Sequence, residues 1–441
     1  MDGMPDLRAF DTPVGTVLAR VDGDVVRAQG IPYATAERFR RPLPAPAFPE
    51  PFAAVTPAPV APQPPAAFVD ELLPPMQHLA VDEDCQRLTI TLPADAHPDE
   101  RLPVMVWVHG GSYVIGGGDL PIHDAHDLVA EQRVVVVSVT YRLGVLGFLG
   151  DGERVPANLG LLDLVEALRW VRANIGSFGG DPDTVTVFGQ SAGGDAIAHL
   201  MISRGAEGLF RRAIIQSAPL GISRRRARMS RAVLRAVGPV DAATPLEDVL
   251  ARQLAGTRAG APFGLRGGMP FGTQYGQDPL PTESRAADAW RAVAPDVDVL
   301  IGSAVDEAAM FVRSVPAIAA VSRTRVLRPL VRWWLVRPLS EVVYGRDVRR
   351  FRDRHRAAGG HATSYRLLRG TTARPTGAVH MSDLPMLLGG RAAWAGSAFV
   401  PERDWPAVDE RGRRIRTVWA EFARTGRVTA PDDDTITFDR G

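Results

Sequence analysis

The sequence contains no lysine, so all 51 of its Lys+Arg residues are arginine. Several mechanisms depend on a lysine amine: the phosphate-binding loop of nucleotide hydrolases, the Schiff base of pyridoxal enzymes and the Ser-x-x-Lys site of β-lactamases. Arginine cannot replace lysine in them, because its guanidinium does not lose its proton in proteins. The absence of lysine therefore excludes these enzyme classes.

Cysteine, excess charge and long apolar runs are also scarce. Cys85 is the single cysteine, which excludes an intramolecular disulfide and a multi-cysteine zinc site. The formal net charge of +1 argues against a nucleic-acid partner. The longest apolar stretches, such as residues 134–137, are far shorter than the roughly 18 residues of a membrane span. With no apolar leader visible at the N-terminus, we expect a cytoplasmic protein.

Short β-branched runs alternate with helical patterns through the middle of the chain. Residues 160–175 place apolar side chains on one helical stripe. Such alternation predicts an α/β fold with a central, mostly parallel sheet flanked by helices. The runs that read as strands buried on both faces are residues 87–92, 103–108, 134–140, 184–188 and 212–217. A further strand at 297–302 and another near 363–368 are expected to extend the sheet.

The remaining segments complete the predicted organisation of one domain over residues 1–441. An N-terminal hairpin is predicted over residues 15–31, turning at Asp22-Gly23. Residues 42–75 hold too many prolines for regular structure and are predicted to form a surface loop. Helical insertions are expected at about 223–290 and 316–358, with a closing helix over 409–425.

The strongest chemical motif is Gly189-Gln190-Ser191-Ala192-Gly193, which lies between a predicted strand and a predicted helix. In that context the G-x-S-x-G pattern is typical of a nucleophile elbow. The sharp turn forces the serine into a strained backbone conformation that only small neighbours permit. It also sets the hydroxyl at a helix N-terminus, where the dipole favours negative charge. Ser191 is therefore the predicted nucleophile.

A serine hydroxyl needs a base to take its proton and a carboxylate to orient that base. In this fold the chain order is Ser, acid, His. Three histidines follow Ser191 with room for an acid between, and His380, in a short loop before a helix, suits the role better than His355 or His361. The acid is expected after the strand at 297–302, where Asp306 and Glu307 are neighbours that spacing cannot separate.

An acyl-transfer site also needs hydrogen-bond donors for the oxyanion. The strand at 103–108 leads into His109-Gly110-Gly111-Ser112-Tyr113, where glycines let backbone N–H groups approach a substrate oxygen. Ala192, the residue after the nucleophile, supplies another N–H. His123 and His126 form an H-x-x-H pattern, but no cysteine or acidic partner frames them. We expect a surface loop there and no metal site.

These motifs resemble the type-B carboxylesterase and cholinesterase family of α/β-hydrolases, including its bacterial para-nitrobenzyl-esterase-like members. The resemblance covers almost the whole chain in the family's order. It implies an α/β-hydrolase fold and a serine hydrolase without cofactor or metal. The matching pieces are RFRRP at 38–42, DEDC at 82–85, WVHGGSY at 107–113, YRLGVLGFL at 141–149, NLGLLD at 158–163, FGGDPDTVTVFGQSAGG at 178–194, IGSAVDEA at 301–308, GAVHMSDLP at 377–385 and WAEFARTG at 419–426.

The resemblance also implies roles for individual residues. It aligns Ser191 with the family's nucleophile, Glu307 with its acid and His380 with its base. The oxyanion donors that it implies are the N–H groups of Gly111, Ser112 and Ala192. Two ion pairs that it implies to be buried are Arg38 with Glu83 and Arg142 with Asp163.

Two features separate this chain from the family pattern. Gln190 stands where the family usually has glutamate, so a negative charge beside the imidazole is missing and cationic substrates should be attracted less. The tryptophan that cholinesterases carry shortly before DEDC is absent. Trp333 and Trp334 are expected in a lid-like insertion, with one of them facing the substrate entrance.

The sequence thus predicts a carboxylesterase that cleaves small-molecule esters through a covalent acyl-enzyme, as a monomer or homodimer. One alternative keeps the triad but cleaves a thioester, carbamate or amide, because leaving-group preference lies in the shape of the pocket. Another is a non-catalytic binding protein on the same scaffold, although the adhesion members of the family typically lose triad residues.

Overall fold

The computed structural model describes residues 6–65, 79–153, 155–312, 318, 321, 324, 326–371 and 377–441. The predicted proline-rich loop at 42–75 and the predicted insertion at 316–358 lie partly outside these residues. Within them, no helix is long and apolar enough to cross a bilayer.

The described strands build one large sheet and a small two-stranded one. They are β1 Leu7–Thr12, β2 Gly15–Asp22, β3 Val25–Pro32, β4 Ala34–Thr35, β5 Leu43–Pro44, β6 Phe52–Ala54, β7 Arg87–Pro93, β8 Leu102–Val108, β9 Val135–Val139, β10 Gly180–Gln190, β11 Arg212–Gln216, β12 Asp298–Ala304, β13 Ala362–Leu367 and β14 Ile436–Asp439.

The strand order of the large sheet is β1-β2-β3-β7-β9-β8-β10-β11-β12-β13-β14, and β6 pairs with β2. The run from β9 to β13 is parallel, whereas the strands outside it on this path pair antiparallel. Apart from β13, the parallel strands are rich in valine and isoleucine, and most of their residues are buried, as a sheet covered on both faces requires.

The α-helices lie between the strands and in the insertions. They are α1 His126–Gln132, α2 Gly144–Phe148, α3 Leu159–Asn174, α4 Ala192–Leu200, α5 Ala227–Val237, α6 Leu246–Gly260, α7 Glu283–Val293, α8 Ala309–Val312, α9 Arg328–Val331, α10 Arg337–Ser340, α11 Arg346–Ala357, α12 Leu384–Leu387, α13 Gly390–Ala393 and α14 Trp405–Thr425. Two π-helical turns, Arg332–Val336 and Glu341–Gly345, join α9, α10 and α11 into one helical segment.

Each predicted central strand and the predicted helix at 160–175 are present, with ends that differ by a few residues. The hairpin is confirmed, but its turn is Gly23-Asp24, since Asp22 still pairs with Val25. Gly23 takes the positive φ of 65° that this turn requires.

The prediction of a structureless proline-rich loop is wrong in part. Residues 43–44 and 52–54 form the short strands β5 and β6. β5 has two residues, the second of which is Pro44, and β6 has three residues and contains no proline. Proline is accepted at such edge positions because no ladder hydrogen bond is lost there.

Candidate active site

Ser191 occupies the sharp turn between β10 and α4. Its φ of 59° and ψ of −123° lie in a region that non-glycine residues rarely adopt. One hydrogen bond fixes the turn, and two close approaches of backbone oxygens exclude side chains larger than glycine beside it. The Ser191 N–H donates to the Gln216 carbonyl at 2.8 Å, and a Cβ on Gly193 would lie 2.0 Å from the Val108 oxygen. A Cβ on Gly110 would lie 2.7 Å from the Gln190 oxygen, so strand packing holds the strained serine in place.

His380 bridges Ser191 and Glu307. Its Nε2 lies 2.9 Å from Ser191 Oγ and its Nδ1 lies 2.5 Å from Glu307 Oε2. The imidazole is 3% exposed and the carboxylate is fully buried. Because a carboxylate oxygen can only accept, Nδ1 carries the proton and Nε2 is left to accept the serine hydroxyl. The three side chains therefore form a continuous hydrogen-bonded chain.

The Glu307 carboxylate is held by more than the imidazole. Ser217 Oγ donates to Glu307 Oε1 at 2.5 Å, and the Ala304 N–H donates to the same oxygen at 2.7 Å. Sequence reasoning missed Ser217, although it directly follows β11 at the edge where the parallel strands end. That position was the signal that could have found it.

Asp306, the acid that spacing could not separate from Glu307, pairs with arginine side chains, whereas Glu307 pairs with His380. The Asp306 carboxylate pairs with Arg332 at 2.7 Å and with Arg337 at 3.5 Å. The other candidate histidines also have separate surroundings. His355 Nε2 lies 2.8 Å from the Val297 carbonyl, and His361 Nδ1 lies 4.0 Å from Asp298.

The glycine turn after β8 lies beside the serine. Gly111 has a φ of 106°, and a Cβ there would lie 2.0 Å from the Ile115 oxygen. Ser112 follows with a φ of 56°. Among the described residues, no oxygen accepts a hydrogen bond from the N–H of Gly111 or Ser112. Ala192 is the first residue of α4, where a backbone N–H has no partner within its own helix.

A cavity of about 170 Å³ opens above Ser191 and His380. Its polar groups come from the glycine turn, Gln190, Ser191, His380 and His123. The remaining walls are apolar: Val114, Ile115, Leu120, Ile122, Met310, Phe311, Met381 and Leu384. The rings of Phe311 and Tyr344 pack on the His380 ring, with centroids 5.1 and 5.4 Å away. Such a site suits a small, mainly apolar substrate with one reactive carbonyl.

One expectation about residues near the cavity is wrong, and a second has no support from the cavity walls. His123 is 6% exposed and lines the cavity, so it does not lie in a surface loop. Trp333 and Trp334 are 58% and 80% exposed and are absent from the described cavity walls, where Met310 and Phe311 lie instead. The Arg337 guanidinium stacks over the Trp333 ring, 4.0 Å from its centroid, in a cation–π contact.

Of the two ion pairs implied by the resemblance, one is buried. Arg142 donates to Asp163 through Nε at 2.8 Å and Nη2 at 2.6 Å, and both residues are almost fully buried. Arg38 pairs with Glu83 through two hydrogen bonds, but both side chains are partly exposed. Within the described residues, no group of three metal-binding side chains occurs.

Comparison with known proteins places this geometry in a family. The model of the carboxylesterase family matches residues 12–330. A probable N-octanoylanthranilate hydrolase of Rhodococcus erythropolis is 37% identical over 424 residues, which cover 95% of this chain and 93% of that protein. The para-nitrobenzyl esterase of Bacillus subtilis is 41% identical over 210 residues, covering 47% of this chain and 42% of the relative. The chain therefore belongs to the carboxylesterase family.

Solved structures agree. A para-nitrobenzyl esterase superimposes with a TM-score of 0.75 at 26% identity, covering 98% of this chain and 97% of that chain. The carboxylesterase of Geobacillus stearothermophilus gives a TM-score of 0.73 at 28% identity, covering 95% of this chain and 91% of its own. These matches confirm the predicted α/β-hydrolase fold, the family resemblance and the identification of the enzyme as a carboxylesterase.

Proposed function

We propose that the protein hydrolyses carboxylic esters through a covalent acyl-enzyme on Ser191. His380 takes the hydroxyl proton as Ser191 attacks the ester carbonyl, and Glu307 orients the imidazole and stabilises its protonated form. The N–H groups of Gly111, Ser112 and Ala192 receive the oxyanion. His380 then returns the proton to the leaving alcohol. A water molecule then gives a proton to His380 and attacks the acyl carbonyl. The bond to Ser191 Oγ breaks, the acid is released and His380 returns the proton to Ser191 Oγ.

One observation carries this proposal: the hydrogen-bonded chain from Ser191 Oγ through His380 to Glu307 ends at the floor of the cavity. The electrostatics are consistent with it, because a buried carboxylate paired to Nδ1 favours imidazolium when Ser191 loses its proton. Backbone strain at Ser191 also supports it, since such strain is concentrated at functional sites.

The test compares the wild type with Ser191→Ala on p-nitrophenyl acetate. We expect turnover to fall by a factor on the order of 10⁶, because a triad acts as a unit. Ser284→Ala, at an exposed serine near the start of α7, is the matched control and should retain full activity. Wild-type activity in Ser191→Ala would refute the assignment.

Labelling separates the enzyme from a non-catalytic binding protein. A fluorophosphonate should attach to Ser191 in the wild type, because only an activated serine displaces its leaving group. Labelling should disappear in His380→Ala. A wild type that takes up no label and hydrolyses no ester would favour the binding protein.

A second activity, amide hydrolysis, is favoured by one comparison. The Rhodococcus relative, which this chain matches along 95% of its length, is named for an N-acyl substrate. An amine leaves less readily than an alcohol unless His380 protonates it during departure. Rates on octanoyl esters and on the octanoyl amide of the same aromatic group would measure the balance. We expect both activities to vanish together in Ser191→Ala.

A further inference from the structure

His123 lines the catalytic cavity without a part in the proposed reaction. It lies in the segment between β8 and α1, beside Leu120 and Ile122, which also line the cavity. Its ring packs edge-on against Trp107, with centroids 5.2 Å apart, and faces the His109 ring at 6.3 Å. The packing fixes a polar ring in an otherwise apolar wall.

The hydrogen bond of His123 determines which nitrogen carries its proton. Nδ1 lies 2.8 Å from the carbonyl oxygen of Gly117. A carbonyl can only accept, so Nδ1 must be the donor. In the neutral ring, Nε2 then has a lone pair and no hydrogen, which makes it an acceptor.

The Nδ1 contact is the one hydrogen bond that the His123 ring makes with a described residue. Unlike Nε2 of His109, Nε2 of His123 is not among the fully buried unpaired atoms of the described residues, so it keeps access to the cavity that the ring lines. Burial lowers the pKa of His123 to about 4, and the nearest titratable ring, His109, is also kept neutral because burial lowers its pKa to about 3. His123 therefore remains neutral throughout the pH range in which esterases are assayed. A group in the cavity meets an acceptor there, not a cation.

We propose that His123 is a specificity-determining residue whose Nε2 accepts a hydrogen bond from an N–H or O–H group of the substrate. The favoured substrates are esters whose cavity-bound part carries an amide N–H or a hydroxyl, rather than plain hydrocarbon. The inference rests on the proposed function, since it concerns the same cavity. Its physical basis is that an apolar substrate would displace water from Nε2 and leave that atom unpaired.

The competing explanation is that His123 only packs, with Nε2 irrelevant to the substrate. Two ethyl esters distinguish the explanations. Ethyl N-acetylglycinate and ethyl 4-oxopentanoate have the same chain length and carbonyl groups at the same positions. They differ by N–H in place of CH₂, which makes the second carbonyl an amide in the first ester and a ketone in the second. Acid release in a pH-stat gives kcat/KM for each. The same two esters hydrolysed by hydroxide give the ratio of their intrinsic reactivities.

We divide kcat/KM for the N–H ester by kcat/KM for the CH₂ ester. For the wild type, this ratio should exceed the corresponding ratio of hydroxide rates by about fivefold or more, the usual effect of one hydrogen bond. In His123→Phe, which keeps a planar ring against Trp107, the enzymatic ratio should become about equal to the hydroxide ratio. His126→Phe, at a half-exposed histidine outside the cavity walls, is the matched control and should keep the wild-type ratio.

A wild-type ratio equal to or below the hydroxide ratio would overturn the inference, whatever the variants do. So would an unchanged excess in a folded His123→Phe. If circular dichroism shows that His123→Phe is unfolded, the wild-type comparison still decides. Failure of the proposed function has a different result: the wild type would hydrolyse neither ester and Ser191 would take up no fluorophosphonate.

Discussion

A carboxylate in place of the Gln190 amide should move the low-pH side of the activity profile to higher pH. Gln190 is 2% exposed, and its Nε2 lies 3.3 Å from His380 Nε2, the atom that receives the serine proton. In Gln190→Glu that position holds a negative charge, which favours the protonated imidazole. His380 would then release its proton, and become a competent base, only at higher pH.

The size of the shift follows from the distance. Two unit charges 3.3 Å apart attract by about 1 kcal/mol in water and by about 5 kcal/mol at an effective dielectric constant of about 20. The lower part of that range applies, because Glu307 repels a second carboxylate near His380 and the cavity admits solvent. At about 1.4 kcal/mol for each pH unit, the low-pH limb should move up by about one to two units.

The assay is kcat/KM for p-nitrophenyl acetate between pH 4.5 and 9 in the wild type and in Gln190→Glu. Gln132→Glu adds the same charge at a half-buried glutamine at the end of α1, outside the cavity walls, and is the matched control. As a second readout, the preference for a choline thioester over its neutral carbon analogue should increase in Gln190→Glu alone.

The reasoning would be refuted if the low-pH limbs of the wild type and Gln190→Glu coincide within about 0.3 units while Gln190→Glu remains active. A shift of equal size in Gln132→Glu would also refute it, because the effect would then come from total charge and not from proximity to His380.

Two further predictions concern buried charges. Arg142→Met and Asp163→Leu should each lower the free energy of unfolding by about 3–5 kcal/mol in urea titrations, because each leaves one buried charge without its partner. The double variant Arg142→Met/Asp163→Leu should lose much less than the sum of the two single losses; additive losses would contradict this. Burial raises the pKa of Asp383 to about 6 despite a hydrogen bond from Gln216. Since 6 exceeds the ordinary 3.8, ionisation destabilises the fold. Between pH 4 and 7 the wild type should lose about 2–3 kcal/mol relative to Asp383→Asn, and parallel pH curves would disprove this.

The sequence predicts the centre of the fold well and its edges poorly. The central strands are apolar, β-branched and bounded by turns, so local pattern alone reveals them. The edge strands β1 and β14 went unpredicted because one face of each is exposed and their residues are mixed. Within the proline-rich segment, β6 forms by pairing with β2, which is distant in the chain, and local propensity cannot show such pairing.

The site residues that directly follow a predicted strand could be identified from the sequence. Ser191, Asp306, Glu307 and the glycine turn all follow parallel strands, whose carboxyl ends lie at one edge of the sheet. Spacing could not choose between Asp306 and Glu307, because the choice depends on how the turn after β12 points. Even the resemblance does not report that Asp306 is neutralised by Arg332 and Arg337.

His123 shows a different reason for a failed prediction. Its neighbours Pro121 and Asp124 are typical of an exposed loop, and the two apolar residues Leu120 and Ile122 are too few to form a periodic pattern that would indicate burial. The ring is buried by Trp107 and by the Gly117 carbonyl, which are contacts of the folded chain. Cytoplasmic location, the single-domain organisation and the monomer or homodimer state stay predictions.

The strain at Ser191 and the glycines around it belong to one physical arrangement. A residue at a φ of 59° and ψ of −123° costs about 1–3 kcal/mol, and it persists only where its surroundings allow no alternative. Those surroundings are backbone atoms: the Val108 oxygen against Gly193 and the Gln190 oxygen against Gly110. These oxygens belong to the last residues of β8 and β10. The packing of the buried sheet therefore offsets the free-energy cost of the strained backbone at Ser191. Catalytic alignment and the stability of the central strands are therefore coupled, and side chains larger than glycine at 110 or 193 would disturb both.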